Sequence, residues 1–204
     1  MPPLSSRGRV ARPGDGVTAR KTLKSKVCLV GEKAVGKTSL IARYVQDMFN
    51  DRYIVTIGTK VSKKAITVHD EDRDLDVHLE LTVWDIMGEK GFRELLKDAY
   101  FYGANGILAV CDLTRFQTLE DLDDWIDPVI KIVGDVPVHV AVNKVDLEEQ
   151  AQVDEDAVRA FSKAYGAPYV FTSAKTGENV ENAFQLLGLA MAANQLHWTA
   201  APKA

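Results

Sequence analysis

The stretch that decides the fold is GEKAVGKTS, Gly31 to Ser39, which lies between the apolar run KVCLV and the helical pattern TSLIARYV. Gly31 and Gly36 permit a loop whose backbone N–H groups turn inward, and the helix that follows adds the positive end of its dipole. Such donors can surround a diphosphate, with Lys37 as a point charge on the outer phosphates and the Thr38 hydroxyl as a ligand for Mg²⁺. The stretch therefore predicts nucleotide binding by a strand–loop–helix unit.

The rest of the sequence alternates between short apolar runs and segments of helical periodicity. The apolar runs are KVCLVG, GILAVCD, VPVHVAVNK and YVFTSAK, and the helical segments include TLEDLDDWIDPVIKIV, DEDAVRAFSKAYG and NVENAFQLLGLAMAA. This alternation indicates a mostly parallel sheet with helices on both faces. The exception is Val61 to Trp84, which predicts an antiparallel hairpin with the acidic turn HDEDRD, His69 to Asp74. We therefore expect a three-layer α/β fold, with a doubly wound, mostly parallel sheet and one antiparallel edge strand.

Composition divides the 204 residues into one domain and two tails. Residues 1–24 are rich in Pro, Gly, Ser and Arg, and we expect a disordered basic tail there. Residues 25–196 form the expected domain, and residues 197–204 form a short C-terminal tail. The arginines of the N-terminal tail have two interpretations, a contact with acidic lipid or a partner, or a solvated flexible arm.

Charge and cysteine content argue against several functional classes. The formal net charge of -4 gives no global electrostatic reason to expect nucleic acid or an anionic membrane as a partner. Cys28 and Cys111 lie inside apolar runs, which indicates buried thiols in a reducing compartment and neither a disulfide framework nor a metal site. No apolar run approaches the roughly 20 residues needed to span a bilayer. We therefore expect a cytoplasmic protein that binds no nucleic acid.

Another motif follows a strand end, the edge at which doubly wound sheets bind ligands. In VWDIMGE, Asp85 ends an apolar strand, where its carboxylate can hold Mg²⁺ through water. The Gly88 backbone N–H can approach a γ-phosphate closely because glycine has no side chain in the way. This spacing after a phosphate loop predicts a contact with the terminal phosphate.

The motif NKVD, Asn143 to Asp146, indicates a guanine base. The Asp146 carboxylate can accept from both the ring N–H and the exocyclic amine of guanine, a donor pair that adenine does not present. A buried carboxylate facing adenine would be unpaired, and sites of this kind discriminate by roughly 10⁴ or more. Asn143 would brace the pocket, and the alkyl stem of Lys144 can lie across the base. In TSAK, the Ala174 N–H can meet the guanine carbonyl oxygen.

The order and spacing of these motifs resemble the Ras superfamily of small GTPases, most closely its Rab-like branch, over roughly Lys24 to Leu196. The resemblance implies the P-loop GTPase fold and a GTP-hydrolysing switch whose partners are an exchange factor, an activating protein and effectors. The segment FNDRYIVTIGT is similar to the family's first switch, which makes Thr56 the residue that engages Mg²⁺ and the γ-phosphate. The phrases IGTKVSKK and WDIMG are more similar to archaeal small GTPases than to typical eukaryotic ones.

The resemblance and the motifs together give the expected site. The metal ligands are Thr38, Thr56 and Asp85, and the residues assigned to catalysis are Lys37, Thr56, Gly88 and Glu89. By resemblance, Ser39 contacts the α-phosphate. The nucleotide would contact Lys33, Ala34, Val35, Gly36, Lys37, Thr38, Ser39, Thr56, Asp85, Gly88, Asn143, Lys144, Asp146, Ser173, Ala174 and Lys175.

Two residues depart from the family pattern. Glu89 stands where the family usually has a glutamine that orients the attacking water, and an ionised carboxylate cannot donate to the transition state. Glu89 has three interpretations: its side chain points to solvent without effect, it slows hydrolysis, or it acts as a base with a raised pKa. We favour slow turnover in the absence of an activating protein. Lys33 stands where the family commonly has a small residue. Its ammonium has three interpretations: it reaches the phosphates, it obstructs an arginine supplied by an activating protein, or it stays solvated at the rim of the loop.

Two functional classes therefore stay open, a GTP-hydrolysing switch and a GTP-binding scaffold in which Glu89 makes hydrolysis very slow or absent. Phosphate release separates them, whereas affinity does not. A third class, an ATP-dependent kinase, is poorly supported because NKVD favours guanine and no long lid segment is evident. The C-terminus NQLHWTAAPKA contains no cysteine and Pro2 excludes N-myristoylation, so we expect no lipid anchor of the chain's own.

Overall fold

The computed structural model describes residues 20–50, 56, 58–88 and 99–198. The strands are β1 (Arg20–Val30), β2 (Thr59–Asp70), β3 (Leu75–Ile86), β4 (Gly106–Asp112), β5 (Val138–Asn143) and β6 (Tyr169–Thr172). The helices are α1 (Lys37–Gln46), the single turn α2 (Gln117–Glu120), α3 (Leu122–Val133), α4 (Glu155–Tyr165) and α5 (Val180–Gln195), with a 3₁₀ helix at Val145–Gln150. Between β3 and β4, the structure describes residues 87–88 and 99–105.

The strands form one six-stranded sheet in the order β2-β3-β1-β4-β5-β6. Only the edge pair β2 and β3 is antiparallel, and the other neighbours run parallel. Every residue of β4 and β5 is buried, as expected for strands covered on both faces. The predicted α/β fold with one antiparallel edge strand is confirmed.

Each face of the sheet has its own core, and β1 contributes to both because successive side chains alternate. Val27 and Leu29 belong to the core that contains residues of α1 and α5, whereas Cys28 and Val30 belong to the core that contains residues of α3. These four side chains are completely buried. Burial of an aliphatic side chain of this size stabilises the fold by about 1.5–3 kcal/mol. Packing on both faces therefore fixes β1, and with it the start of the loop Gly31 to Ser39.

Both cysteines are free and completely buried, as the apolar runs predict. Burial raises the pKa of the Cys28 thiol and of the Cys111 thiol to about 12. Because the thiolate is the reactive form, these two side chains are inert packing groups.

The N-terminal boundary of the domain differs from the expected one. Arg20 to Lys24, which composition assigns to the disordered tail, are the first residues of β1. They pair in parallel with β3, from Arg20 opposite Asp76 to Lys24 opposite Glu80. Strand β3 of the β2–β3 hairpin is long enough to pair with this segment, and Leu23 packs against the core. The prediction of a disordered tail is therefore wrong for residues 20–24, and residues 1–19 lie outside the described residues.

The start of the expected C-terminal tail also belongs to the domain. Helix α5 ends at Gln195, and Trp198 packs back against the core. The guanidinium carbon of Arg73, in the hairpin turn, lies 4.8 Å from the centre of the Trp198 ring. Burial of so large an aromatic side chain stabilises the packing of the chain as far as Trp198. Residues 199–204 lie outside the described residues.

Among the described residues, no helix combines the length and apolar character that crossing a membrane requires.

Candidate functional site

The chain segments that follow β1, β3, β5 and β6 surround a cavity of about 490 Å³. Residues from all the sequence motifs line it. The predicted site residues in the lining are Lys33, Ala34, Gly36, Lys37, Thr38, Ser39, Thr56, Gly88, Asn143, Lys144, Asp146, Ala174 and Lys175. Val35, Asp85 and Ser173 are buried behind them and contact the lining residues. Glu89 lies outside the described residues.

Two glycines give the phosphate loop its shape. Gly31 has a φ of 133° and Gly36 a φ of 104°, in the region that favours glycine. A Cβ atom on Gly31 would lie 2.1 Å from the carbonyl oxygen of Val110, and one on Gly36 would lie 2.2 Å from Asn143 Nδ2. Gly36 is also the N-cap of α1, so the first N–H groups of that helix open onto the cavity. Any larger residue at either position would displace a neighbour that the site needs.

Lys37 lies inside the loop. Its Nζ donates to the carbonyl oxygens of Gly31 at 2.6 Å and Glu32 at 2.8 Å, and the residue is only 6% exposed. Burial lowers the pKa of Lys37 to about 8, although Asp85 and Glu32 oppose the shift. The ammonium is therefore poorly solvated, and an anionic ligand in the cavity would stabilise its charge.

Three oxygen-bearing side chains meet beside Lys37. Thr38 Oγ1 donates to Asp85 Oδ2 at 2.5 Å and lies 2.9 Å from Thr56 Oγ1. Asp85 Oδ1 is buried and has no hydrogen-bond partner in the described residues. Burial raises the pKa of Asp85, and the hydrogen bond from Thr38 and the charge of Lys37 reduce the shift. A buried carboxylate oxygen without a partner is rare, which marks this cluster as a place for a cation or a proton.

Gly88 packs directly onto the phosphate loop. A Cβ atom on Gly88 would lie 2.6 Å from the backbone nitrogen of Lys33 and 2.6 Å from Lys37 Nζ. No side chain fits there, so only glycine allows the backbone to lie this close to the loop.

Asn143 connects three of the motifs. Its Nδ2 donates to the Val35 carbonyl at 2.8 Å, and its Oδ1 accepts from the Ala174 N–H at 3.1 Å and from Thr172 Oγ1 at 3.3 Å. The predicted bracing role agrees with this geometry. The Ala174 N–H, predicted to face guanine, donates to Asn143 instead, because the buried amide oxygen requires donors.

Comparison with known proteins identifies the family. The Ras family model matches residues 26–193. The chain belongs to the Ras family. Ras-related protein Rab-21 of Bos taurus is 31% identical over 175 residues, which cover 85% of this chain and 76% of the relative. GTP-binding protein YPTM1 of Zea mays is 34% identical over 167 residues, 81% of this chain and 77% of the relative. Ras-related protein Rab-27B of Rattus norvegicus is 33% identical over 178 residues, which cover 79% of this chain and 77% of the relative. The chain is therefore a Rab-like small GTPase, a switch that hydrolyses GTP.

In this small GTPase, Asp112 contacts the site residue Lys144, although the sequence motifs do not include it. The carboxylate of Asp112, 1% exposed, accepts from Lys144 Nζ at 2.6 Å and from Arg115 Nε at 2.9 Å. Burial alone would raise the pKa of Asp112, but the hydrogen bonds from Lys144, Thr114 and Arg115 outweigh it and lower the pKa. Arg115 Nη2 donates to the Lys33 carbonyl at 3.0 Å. Asp112 thus connects the base motif of the GTPase to its phosphate loop.

Phe49 was also missed as a site residue. It lines the same cavity as the NKVD residues Lys144 and Asp146. Asp146 Oδ1 accepts from Ser173 Oγ at 2.6 Å, which fixes the direction of that carboxylate. The strand-end rule indicates Asp112, the last residue of β4, whereas no local pattern distinguishes Phe49 from a core aromatic residue.

Proposed function

We propose that this small GTPase binds its nucleotide with the phosphates on Gly31 to Ser39 and the guanine base between Asn143–Asp146 and Ser173–Lys175. The observation that carries the proposal is that residues of both groups line one cavity. Its volume of about 490 Å³ falls within the range for small-molecule sites. The partners are then proteins that recognise the nucleotide state: an exchange factor, an activating protein and effectors.

At the base end, the proposed recognition depends on Asp146. Its carboxylate, oriented by Ser173, accepts from the ring N–H and the exocyclic amine of guanine. The stem of Lys144 lies along one side, because its ammonium is held by Asp112, and the Phe49 ring offers an apolar surface. Adenine presents no matching donor pair, so GTP is the substrate and ATP is excluded.

At the phosphate end, the donor set fits Mg²⁺. The hydroxyls of Thr38 and Thr56 lie 2.9 Å apart, so one hard cation could contact both oxygens. The unpaired Asp85 Oδ1 supplies an oxygen of the kind that binds hard cations. Thr38, Thr56 and Asp85 would hold the ion, which supplies positive charge to the β- and γ-phosphates when bound.

Chelation of Mg²⁺ is expected to accelerate GDP release by about 100-fold, because several charge-assisted contacts are lost together. Release of a fluorescent GDP analogue with and without EDTA measures this effect. Asp85→Asn should reduce the EDTA effect to a few-fold. Asp156→Asn, an exposed position in α4, is the matched control and should keep the wild-type response. An Asp85→Asn protein with the full EDTA response would contradict the metal assignment.

During hydrolysis, the chain's own residues orient and neutralise the triphosphate. Lys37 offsets charge on the β- and γ-phosphates while water attacks in line. Thr56 and the Gly88 N–H contact the γ-phosphate, and its departure removes those contacts so that the segment containing Thr56 and the segment that follows Gly88 relax. The packing of Gly88 on Lys33 N and Lys37 Nζ supports this role, because it brings the backbone of Gly88 onto the phosphate loop.

Glu89 then decides how fast the switch turns over. We expect wild-type protein to hydrolyse GTP slowly in a single-turnover assay, and Glu89→Gln to increase the rate by about tenfold, since an amide can donate to the transition state. Glu71→Gln, an exposed hairpin position, is the control. Tight GTP binding without phosphate release in wild type, with turnover restored in Glu89→Gln, would favour the scaffold. A slower Glu89→Gln protein would identify Glu89 as a base.

The buried state of both free cysteines supports a reducing, cytoplasmic location for this GTPase.

A further inference from the structure

One arginine on α1 contacts the proposed base-binding loop, Ser173–Lys175, and the end of its own helix. Arg43 Nε donates to the Ala174 carbonyl at 2.9 Å, and Arg43 Nη2 donates to the Lys175 carbonyl at 2.7 Å. Its third nitrogen, Nη1, bonds Asp47 Oδ1 at 2.9 Å. The Arg43 side chain is only 20% exposed, although arginine is usually a surface residue.

The two ends of this contact belong to different parts of the site. Ala174 and Lys175 line the base end of the cavity. Asp47 is the residue at which α1 ends, with a left-handed backbone, and the next two residues, Met48 and Phe49, also line the cavity. One guanidinium therefore joins the loop that holds the base to the start of the segment that leads to Thr56.

The shape of the guanidinium suits this position. Its nitrogens lie in one plane at fixed angles, so Nε and Nη2 bond two consecutive carbonyl oxygens at the same time. A lysine ammonium at the end of a flexible stem cannot reproduce that pair of bonds.

We infer that Arg43 is a positioning residue that holds the base-binding loop against α1 and thereby slows nucleotide release. The inference rests on the proposed location of the guanine base. When the Ala174 and Lys175 carbonyls lose their donor, the loop opens more often and the base leaves sooner. The γ-phosphate end is untouched, so the rate of the chemical step stays the same.

The test is the rate of release of fluorescent GDP and of a fluorescent non-hydrolysable GTP analogue from the full chain. Arg43→Lys is expected to accelerate both by about tenfold, because the charge stays while the two-carbonyl bonding is lost. The single-turnover rate of GTP hydrolysis should stay within about twofold of wild type. A merely structural disturbance of α1 would also move Lys37 and Thr38, and would lower that hydrolysis rate.

Two controls separate the carbonyl contacts from charge. Arg159→Lys makes the same change on α4, where Arg159 pairs with Glu155 on the surface, and should leave release unchanged. Asp47→Asn removes the charge pair with Arg43 but keeps both carbonyl bonds, and asparagine tolerates the left-handed backbone at this position. The rate of release should therefore stay within about twofold of wild type. If Asp47→Asn releases GDP as fast as Arg43→Lys, the ion pair controls release and the inference is overturned.

The remaining outcomes are also distinct. Wild-type GDP release from Arg43→Lys overturns the inference and leaves the proposed function intact. Failure of the wild-type chain to bind guanine nucleotide overturns the proposed function itself. If Arg43→Lys accelerates nucleotide release and slows hydrolysis by the same factor, Arg43 serves the packing of the helix. This result also overturns the inference.

Discussion

Lys37→Ala is expected to lower GTP affinity by about 10³-fold and to reduce single-turnover hydrolysis below detection. Lys37 is a buried cation whose Nζ is held by the Gly31 and Glu32 carbonyls, at the centre of the phosphate loop. Without it, the phosphates would enter a poorly solvated site with their charge uncompensated, and loss of one partner of a buried ion pair costs about 3–5 kcal/mol. Titration with a fluorescent GTP analogue and a phosphate-release assay measure the two effects.

The controls for Lys37 address charge and folding. Lys63→Ala removes an exposed lysine from β2 and should leave both measurements unchanged. Because burial disfavours the Lys37 ammonium, nucleotide-free Lys37→Ala should unfold at a temperature close to that of wild type. A folded Lys37→Ala protein that binds GTP with wild-type affinity would show that the phosphates lie elsewhere.

The sequence predicts those parts of the fold that depend on local pattern. The apolar runs locate β1, β4, β5 and β6, and alternation locates the hairpin of β2 and β3. The start of β1 is missed because Arg20 to Lys24 contain little apolar character, and they become a strand only by pairing with β3. That pairing joins residues more than fifty positions apart, which no window of local sequence reports.

The candidate site divides in the same way. Sequence motifs identify Gly36, Lys37 and Asn143 because each motif requires a particular residue type at a fixed spacing. At Gly36 the requirement is the absence of a side chain. Asp112 and Arg43 are missed because their function is to connect one motif to another across the sheet. Their partners are identified only once the strand order is known.

Asp146→Asn is expected to change the base that the protein selects. The Asp146 carboxylate accepts two guanine N–H groups, and an asparagine would offer one acceptor and one donor. GTP affinity should fall by about 10³-fold, since a guanine amine would face an amide donor. Xanthine carries a carbonyl oxygen in place of that amine, so XTP matches the asparagine and should bind more tightly than GTP. Competition of GTP, XTP and ATP against a fluorescent nucleotide measures this change.

The gain of XTP binding makes this substitution more informative than a loss. A misfolded Asp146→Asn protein would lose every nucleotide, whereas a correctly folded one keeps its phosphate contacts and changes only its base preference. Asp123→Asn, an exposed position in α3, should keep the wild-type order of GTP over XTP and ATP. If Asp146→Asn still prefers GTP by the wild-type ratio, the carboxylate held by Ser173 does not contact the base. If the preference moves to XTP, the guanine edge lies against Asp146, and the base end of the cavity is assigned from hydrogen-bond chemistry alone.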